Sequence, residues 1–244
     1  MVLNFKTLRT RGRRSLKFRG ECSFAKMTEQ EVRESDGIPA FTRSRGQGGP
    51  HEVRWSSAVT EVDILHELCH VTLNESGFLN VEAQANEKLD AFEQPVVVDD
   101  RRNAIWYIAE GYADWLLYTN FDRDSKLRRD TFVARFTDSD GIENLYTRGG
   151  FWGIAAIPYV RFSFERANKE FPAEGVSNAV KIAPDGPSIS ALLEKLDSRF
   201  NSLPDLAVDG VLQSIDSDAA SAIANTVVGL VKEKLTFTSG VVAR

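Results

Sequence analysis

The chain has 244 residues, 42% hydrophobic and 27% charged, with a formal net charge of −5. That length and composition suit a globular chain of one large domain or two lobes and argue against wholesale disorder. No run of about 18 apolar residues is present, which excludes a membrane-spanning helix, and two cysteines exclude a disulfide framework.

The charge is uneven. Residues 1–26 hold eight Lys or Arg and one Glu, leaving 22 basic against 34 acidic residues elsewhere. No aromatic and glycine pattern of a nucleic-acid module accompanies the basic end, so it reads as a solvated element rather than a nucleic-acid contact. It also lacks the apolar stretch and small-residue cleavage site of a signal peptide. The expected location is therefore cytoplasmic, with both thiols reduced.

In chain order, Leu3, Phe5 and Leu8, then Leu16 and Phe18, with Gly12 between, predict two short strands joined by a turn. Ser35–Pro39 and Ser44–Pro50 carry turn chemistry, and His51–Trp55 predicts a strand. From Thr60 to Ser76 the period becomes helical, with Thr60 as N-cap, Asp63 in the first turn and Gly77 as the stop. Further helices are expected over 81–92, 101–118 and 151–170, the last bent near Pro158, with a loop from Pro95 to Asp99. Pro172 and Pro184 bracket a loop. Helices then follow over 191–200, 206–215 and 219–235, and Thr236–Arg244 reads as a strand or ordered tail.

The helix from Thr60 has one polar arc about 100° wide, holding Asp63, His66, Glu67, His70 and Asn74, on an otherwise apolar surface. Burying that arc without partners would cost several kcal/mol, so it must line a cleft or bind something. His66-Glu67-Leu68-Cys69-His70 is an H-E-x-x-H motif, expected by chance about 0.003 times in a chain of this composition. Residues four apart share a helix face, so both imidazoles can converge on one metal ion while Glu67 reaches a water beside it. Zinc needs a third ligand. Glu82 and Glu87 are near in sequence but sit in an ordinary polar helix. Glu110 is better placed, with Gly111 removing a side chain where helices must approach and Asp114 four residues on, able to bond the outer N–H of a ligating histidine. Cys69 falls in the apolar arc and reads as buried, while His51 reads as a surface or loop residue that could face the cleft.

Together with Trp106-x-x-x-Glu110-Gly111-x-Ala113-Asp114-Trp115, the motif resembles the gluzincin branch of zinc metallopeptidases, the thermolysin-like and peptidase MA groups. Trp106 stands one residue farther from the glutamate than in their usual second motif. The resemblance covers residues 51 to about 170. It implies ligands His66, His70 and Glu110 for one Zn2+ per chain, Glu67 as general base and acid, and Asp114 bonding the ring of His66. It also implies a strand above the active-site helix that pairs with bound peptide, here expected at 51–57.

No histidine follows His70, so a second oxyanion donor must be a tyrosine or arginine: Tyr146 and Tyr159 first, with Tyr112 and Arg148 as further candidates. Two inhibitory devices are conceivable, Cys22 as a thiolate switch and residues 235–244 lying in the cleft. The expected architecture is α+β and zincin-like. Residues 1–74 would form an upper subdomain with the strands and the H-E-x-x-H helix, and residues 75–244 a mostly helical lower subdomain carrying the third ligand. The expected function is zinc-dependent hydrolysis of peptide bonds in a peptide or protein substrate. A non-catalytic zinc-binding regulatory or structural protein, or a zinc hydrolase of a non-peptide amide, remain as alternatives.

Overall fold

The computed structural model describes residues 3–35, 37–46, 48–92, 96–208 and 211–242. It is an α+β structure, predominantly helical with a small mixed sheet. The elements run α1 (Phe5–Leu16), β1 (Cys22–Lys26), α2 (Glu29–Glu34), β2 (Ala40–Ser44), β3 (His51–Trp55), α3 (Glu61–Glu75) and α4 (Phe78–Asp90). They continue with α5 (Val98–Asn120), α6 (Asp122–Phe136), α7 (Ser139–Arg166), α8 (Ala173–Ile182), α9 (Gly186–Asn201), β4 (Ala207–Val208), β5 (Val211–Leu212) and α10 (Ser217–Val242). No described helix is long and apolar enough to cross a membrane.

The N-terminal pair of strands is in fact a helix and a strand. Leu8, Gly12 and Leu16 are buried at intervals of four along α1, and Asn4 caps it by accepting from Thr7 N at 3.1 Å. Gly12 is not a turn residue. A Cβ built on it would lie 2.6 Å from Leu68 Cδ1, so glycine lets α1 rest directly on α3. Gly12→Val is expected to destabilise the chain by about 1–3 kcal/mol through overpacking, read as an earlier urea midpoint; an unchanged midpoint would mean that the two helices are free to move apart. The basic side chains of this end serve the fold. Arg9 Nη1 donates to Cys22 O at 3.2 Å, Arg13 Nη2 donates to Gly20 O at 2.8 Å, and Arg11 pairs with Asp124.

The sheet has the order β1-β3-β2, with β1 parallel to β3 (Cys22 opposite His51) and β2 antiparallel to it (Ala40 opposite Trp55). Against it lies α3, whose start is fixed by a capping box: Thr60 N donates to Asp63 Oδ2 at 2.8 Å, and Asp63 N donates to Thr60 Oγ1 at 3.4 Å. Ile64, Leu65, Leu68, Cys69 and Val71 of α3 are wholly buried. Gly77, in the left-handed region at φ 109°, turns the chain into α4.

Four other expectations differ from the structure. The segment after Pro172 is helix α8, because Val176, Ala179 and Val180 bury one face and a proline at the N-cap forfeits no helical bond. Residues 206–215 hold the hairpin β4–β5 rather than a helix; Asp-Gly between the strands is a hairpin signal, though both residues lie outside the described set, as does Pro95. The break in α7 falls at Gly150 (φ 53°, ψ −133°), not at Pro158, which sits inside the helix. The segment expected as a strand or ordered tail continues α10 to Val242, with Phe237 against Tyr146 and Phe151. Helix α6, whose surface is highly charged, is not among the elements expected from the sequence.

Candidate metal centre

On α3, His66 and His70 stand one turn apart, and their Nε2 atoms face each other at 3.1 Å. From α5, the Glu110 carboxylate meets both, Oε1 lying 3.0 Å from His70 Nε2 and Oε2 3.2 Å from His66 Nε2. One turn on, Asp114 Oδ1 lies 3.1 Å from His66 Nδ1, a contact of suitable length whose N–H direction is off line. His66, Glu110 and Asp114 are all buried, Asp114 completely.

These atoms form a set that calls for a positive charge between them. Burial alone would raise the Glu110 pKa, yet the two histidines hold it well below the usual carboxylate range. Burial and Arg128 push His66 toward the neutral form, but Glu110 and Asp114 outweigh them and hold its pKa at about 10. The two facing Nε2 atoms cannot both aim a proton at each other; each has a Glu110 oxygen as acceptor when protonated, and a metal cation in place of those protons would satisfy both lone pairs at once. The spacing of 3.0–3.2 Å is near the separation of about 3.3 Å between neighbouring ligands of a tetrahedral zinc. One ligand atom each from His66, Glu67 and His70 also lie within 4.8 Å of one another. The two imidazoles and one carboxylate fit a zinc ion.

Glu67 is buried at 8% exposure on the same helix face. Burial raises its pKa, opposed by the neighbouring histidines. Thr42 Oγ1, on β2, lies 2.8 Å from Glu67 Oε2 and 3.0 Å from its main-chain carbonyl, with one proton to give. Arg128 of α6 completes the surroundings: its Nε donates to Asp114 Oδ1 at 2.9 Å, and its Nη2 lies 3.6 Å from Glu110 Oε2. Burial opposes the Arg128 charge, but Asp114, Tyr118 and Glu110 more than restore it.

The centre opens into a cleft of about 660 Å³ lined by His66, Glu67, His70, Glu110 and Arg128, among others. Ile38–Thr42 form one side of it. The strand bordering the cleft is thus β2, an edge strand, and not the segment 51–57: β3 is central and already paired on both sides.

Several sequence candidates lie elsewhere. The ring of Tyr146 rests against Phe237, and Tyr146 does not line the cleft. Tyr159 is buried at 4% exposure among Tyr107, Phe132 and Trp106, bordering a second cavity together with Arg148. Burial, and then Asp114 and Glu110, keep its phenol protonated. Tyr112 is buried, its hydroxyl donating to Pro204 O at 2.9 Å. Gly111 admits α7 rather than α3, since a Cβ there would meet Phe162 at 3.2 Å. His51 is buried between Ser44 Oγ (2.8 Å from Nδ1) and Glu75 Oε1 (3.2 Å from Nε2), outside the cleft lining. Cys69 is buried as expected, its thiol donating to Leu65 O at 3.3 Å. Cys22 is buried too and is not among the residues lining the cleft, and burial pushes its pKa up to about 11 despite Arg9 and Arg13, which disfavours a thiolate. Of the tail expected to reach the cleft, Leu235 and Phe237 do not line it, and the side chains of residues 238–244 lie outside the described set.

Thr42 and Arg128 are the site residues the sequence did not reveal. Thr42 stands between two loop-like segments, and Arg128 is one of several arginines in a highly charged stretch with no motif around it.

The chain matches no family model, no curated protein and no solved structure.

Proposed function

We propose that the protein is a zinc-dependent peptidase on a zincin-like fold, with residues 1–74 as the upper part and residues 75–244 as the lower part supplying the third ligand. The observation that carries this reading is the convergence of His66, His70 and Glu110 within 3.0–3.2 Å, with Glu67 on the same helix face in an open cleft. His66, His70 and Glu110 would hold the ion. When bound, zinc acts as a Lewis acid toward a carbonyl and lowers the pKa of a coordinated water.

The residues of the chain do the rest. The Glu67 carboxylate takes the proton of the attacking water and passes it to the departing amine, a role suited by a pKa that burial has raised. The Thr42 hydroxyl steadies Oε2 of that carboxylate. Asp114 orients the His66 ring, and Arg128 holds Asp114 ionised in a dry setting. Among the described residues no strand pairs with the outer edge of β2, which can therefore take an extended peptide. Arg128 also lines the cleft, where Tyr146 and Tyr159 do not reach, and its guanidinium is the donor there for a developing oxyanion.

The test is metal analysis of the purified chain together with chelator-reversible cleavage of a mixed peptide library. One zinc per chain and restored cleavage on adding zinc are expected. Cleavage that survives complete chelation would refute the reading. Because the ion binds only the folded state, chelation is also expected to lower the melting temperature by about 5–10 °C; identical melts with and without chelator would argue that no ion is held.

A further inference from the structure

The ionised side chains of the cleft can be paired off one by one. Asp63 is held in the cap of α3 by Thr60. Glu67 lies against Thr42, Glu110 against both histidines, and Arg128 against Asp114. Arg101 is paired with Asp90, and Arg102 lies 3.7 Å from Asp99. Glu82 is the remainder. It lines the cleft from α4, partly buried, and among the described residues no donor or cation meets its carboxylate. Burial raises its pKa with no neighbouring charge to offset it.

Asn86, one turn farther along α4, lines the same cleft and likewise has no hydrogen-bond partner among the described residues. Phe78, Glu82 and Asn86 stand at intervals of four, so α4 presents them on one face. Leu73 of α3, and Val98 and Ile105 of α5, line the cleft as well. An acceptor pair set among apolar side chains matches a ligand with an aliphatic stem and a cationic tip.

Resting on the peptidase reading, we propose that Glu82, with Asn86, forms a specificity subsite for a Lys or Arg side chain of the substrate, which makes the enzyme selective for basic peptides. The aliphatic stem packs on Phe78, Leu73 and Ile105, and the ammonium or guanidinium donates to the Glu82 carboxylate and the Asn86 carbonyl.

The experiment uses peptides of one fixed sequence with lysine, norleucine or glutamate at a single variable position, each with a free and an acetylated amino terminus. Cleavage is measured on the zinc-loaded chain, and binding by calorimetry on the zinc-loaded Glu67→Gln chain. The lysine peptide is expected to exceed norleucine in kcat/KM by at least about tenfold, the size of one hydrogen bond between charged groups. That ratio should collapse toward one in Glu82→Gln. Equal cleavage of lysine and norleucine peptides by the unaltered chain, which needs no variant, would overturn the subsite and leave the peptidase reading standing. A preference that survives Glu82→Gln would do the same. A preference set by the free amino terminus instead of lysine would overturn the side-chain assignment in favour of an α-ammonium. Absence of cleavage, with lysine peptides still bound about tenfold more tightly and only when Glu82 is present, would uphold the subsite and sink the peptidase reading. Neither cleavage nor selective binding would overturn both.

Discussion

Glu67→Gln is expected to lower peptide hydrolysis by about 10³-fold while the chain keeps its zinc, because general acid–base catalysis by a positioned side chain is worth about 10²–10⁴-fold. The amide keeps the size of the carboxylate, and its carbonyl oxygen can still accept the Thr42 hydroxyl that lies 2.8 Å from Oε2. The helix face, the two imidazoles and Glu110 are untouched. What is lost is the ability to take a proton. The measurement is turnover and zinc content on the same preparation. Full activity with full zinc would remove Glu67 from the mechanism; loss of zinc together with activity would instead make it part of the ion's cage.

Asp114→Ala is the second large effect. Asp114 is fully buried, and it meets His66 on one side and Arg128 on the other. Removing it takes the main partner from a half-buried guanidinium that keeps only Glu110 at 3.6 Å, which costs about 3 kcal/mol, the low end for deleting one partner of a buried pair. It also frees the His66 ring, and loss of such an orienting partner weakens metal binding by about 10–100-fold. A fall in melting temperature of roughly 10 °C is expected for a chain of this size, together with weaker zinc retention in a chelator competition. Arg128→Met with Asp114→Ala should recover part of the stability, since the stranded charge is gone, but none of the zinc affinity. Equal melts for Asp114→Ala and the unaltered chain would show that water reaches Arg128 and solvates it.

The centre was legible in the sequence to the extent that its residues sit at helical spacing. His66, Glu67 and His70 share a face because of the 3.6-residue turn, and Glu110 and Asp114 share one for the same reason, so local periodicity encoded both halves. The same holds for the start of α3, where Thr60 and Asp63 announce a cap. The illegible part came from contacts far apart in the chain. Arg128 reaches Asp114 from a helix whose exposed, charged surface carries little periodic signal. Thr42 earns its place from the pairing of β2 on β3, a register no local pattern dictates. Alternation misled at α1: Leu3, Phe5 and Leu8 mimic a strand, whereas the buried positions follow Leu8, Gly12 and Leu16. Tyr159 and Tyr112 pack among the aromatic rings between α5 and α7, and Tyr146 packs against Phe237 of α10; a sequence does not distinguish a ring that packs from one that faces a cleft.

Arg128 has one more consequence, for electroneutrality. If a bound ion holds both imidazoles neutral, Glu67, Glu110 and Asp114 bring three negative charges to the centre and Arg128, half-buried beside it, returns one positive. Two negative charges are left. A doubly charged ion balances that sum, a singly charged one leaves a deficit and a triply charged one an excess. On the metal-centre reading, the guanidinium would set which valence the site tolerates, and replacing it with a neutral side chain would shift that balance by a full unit.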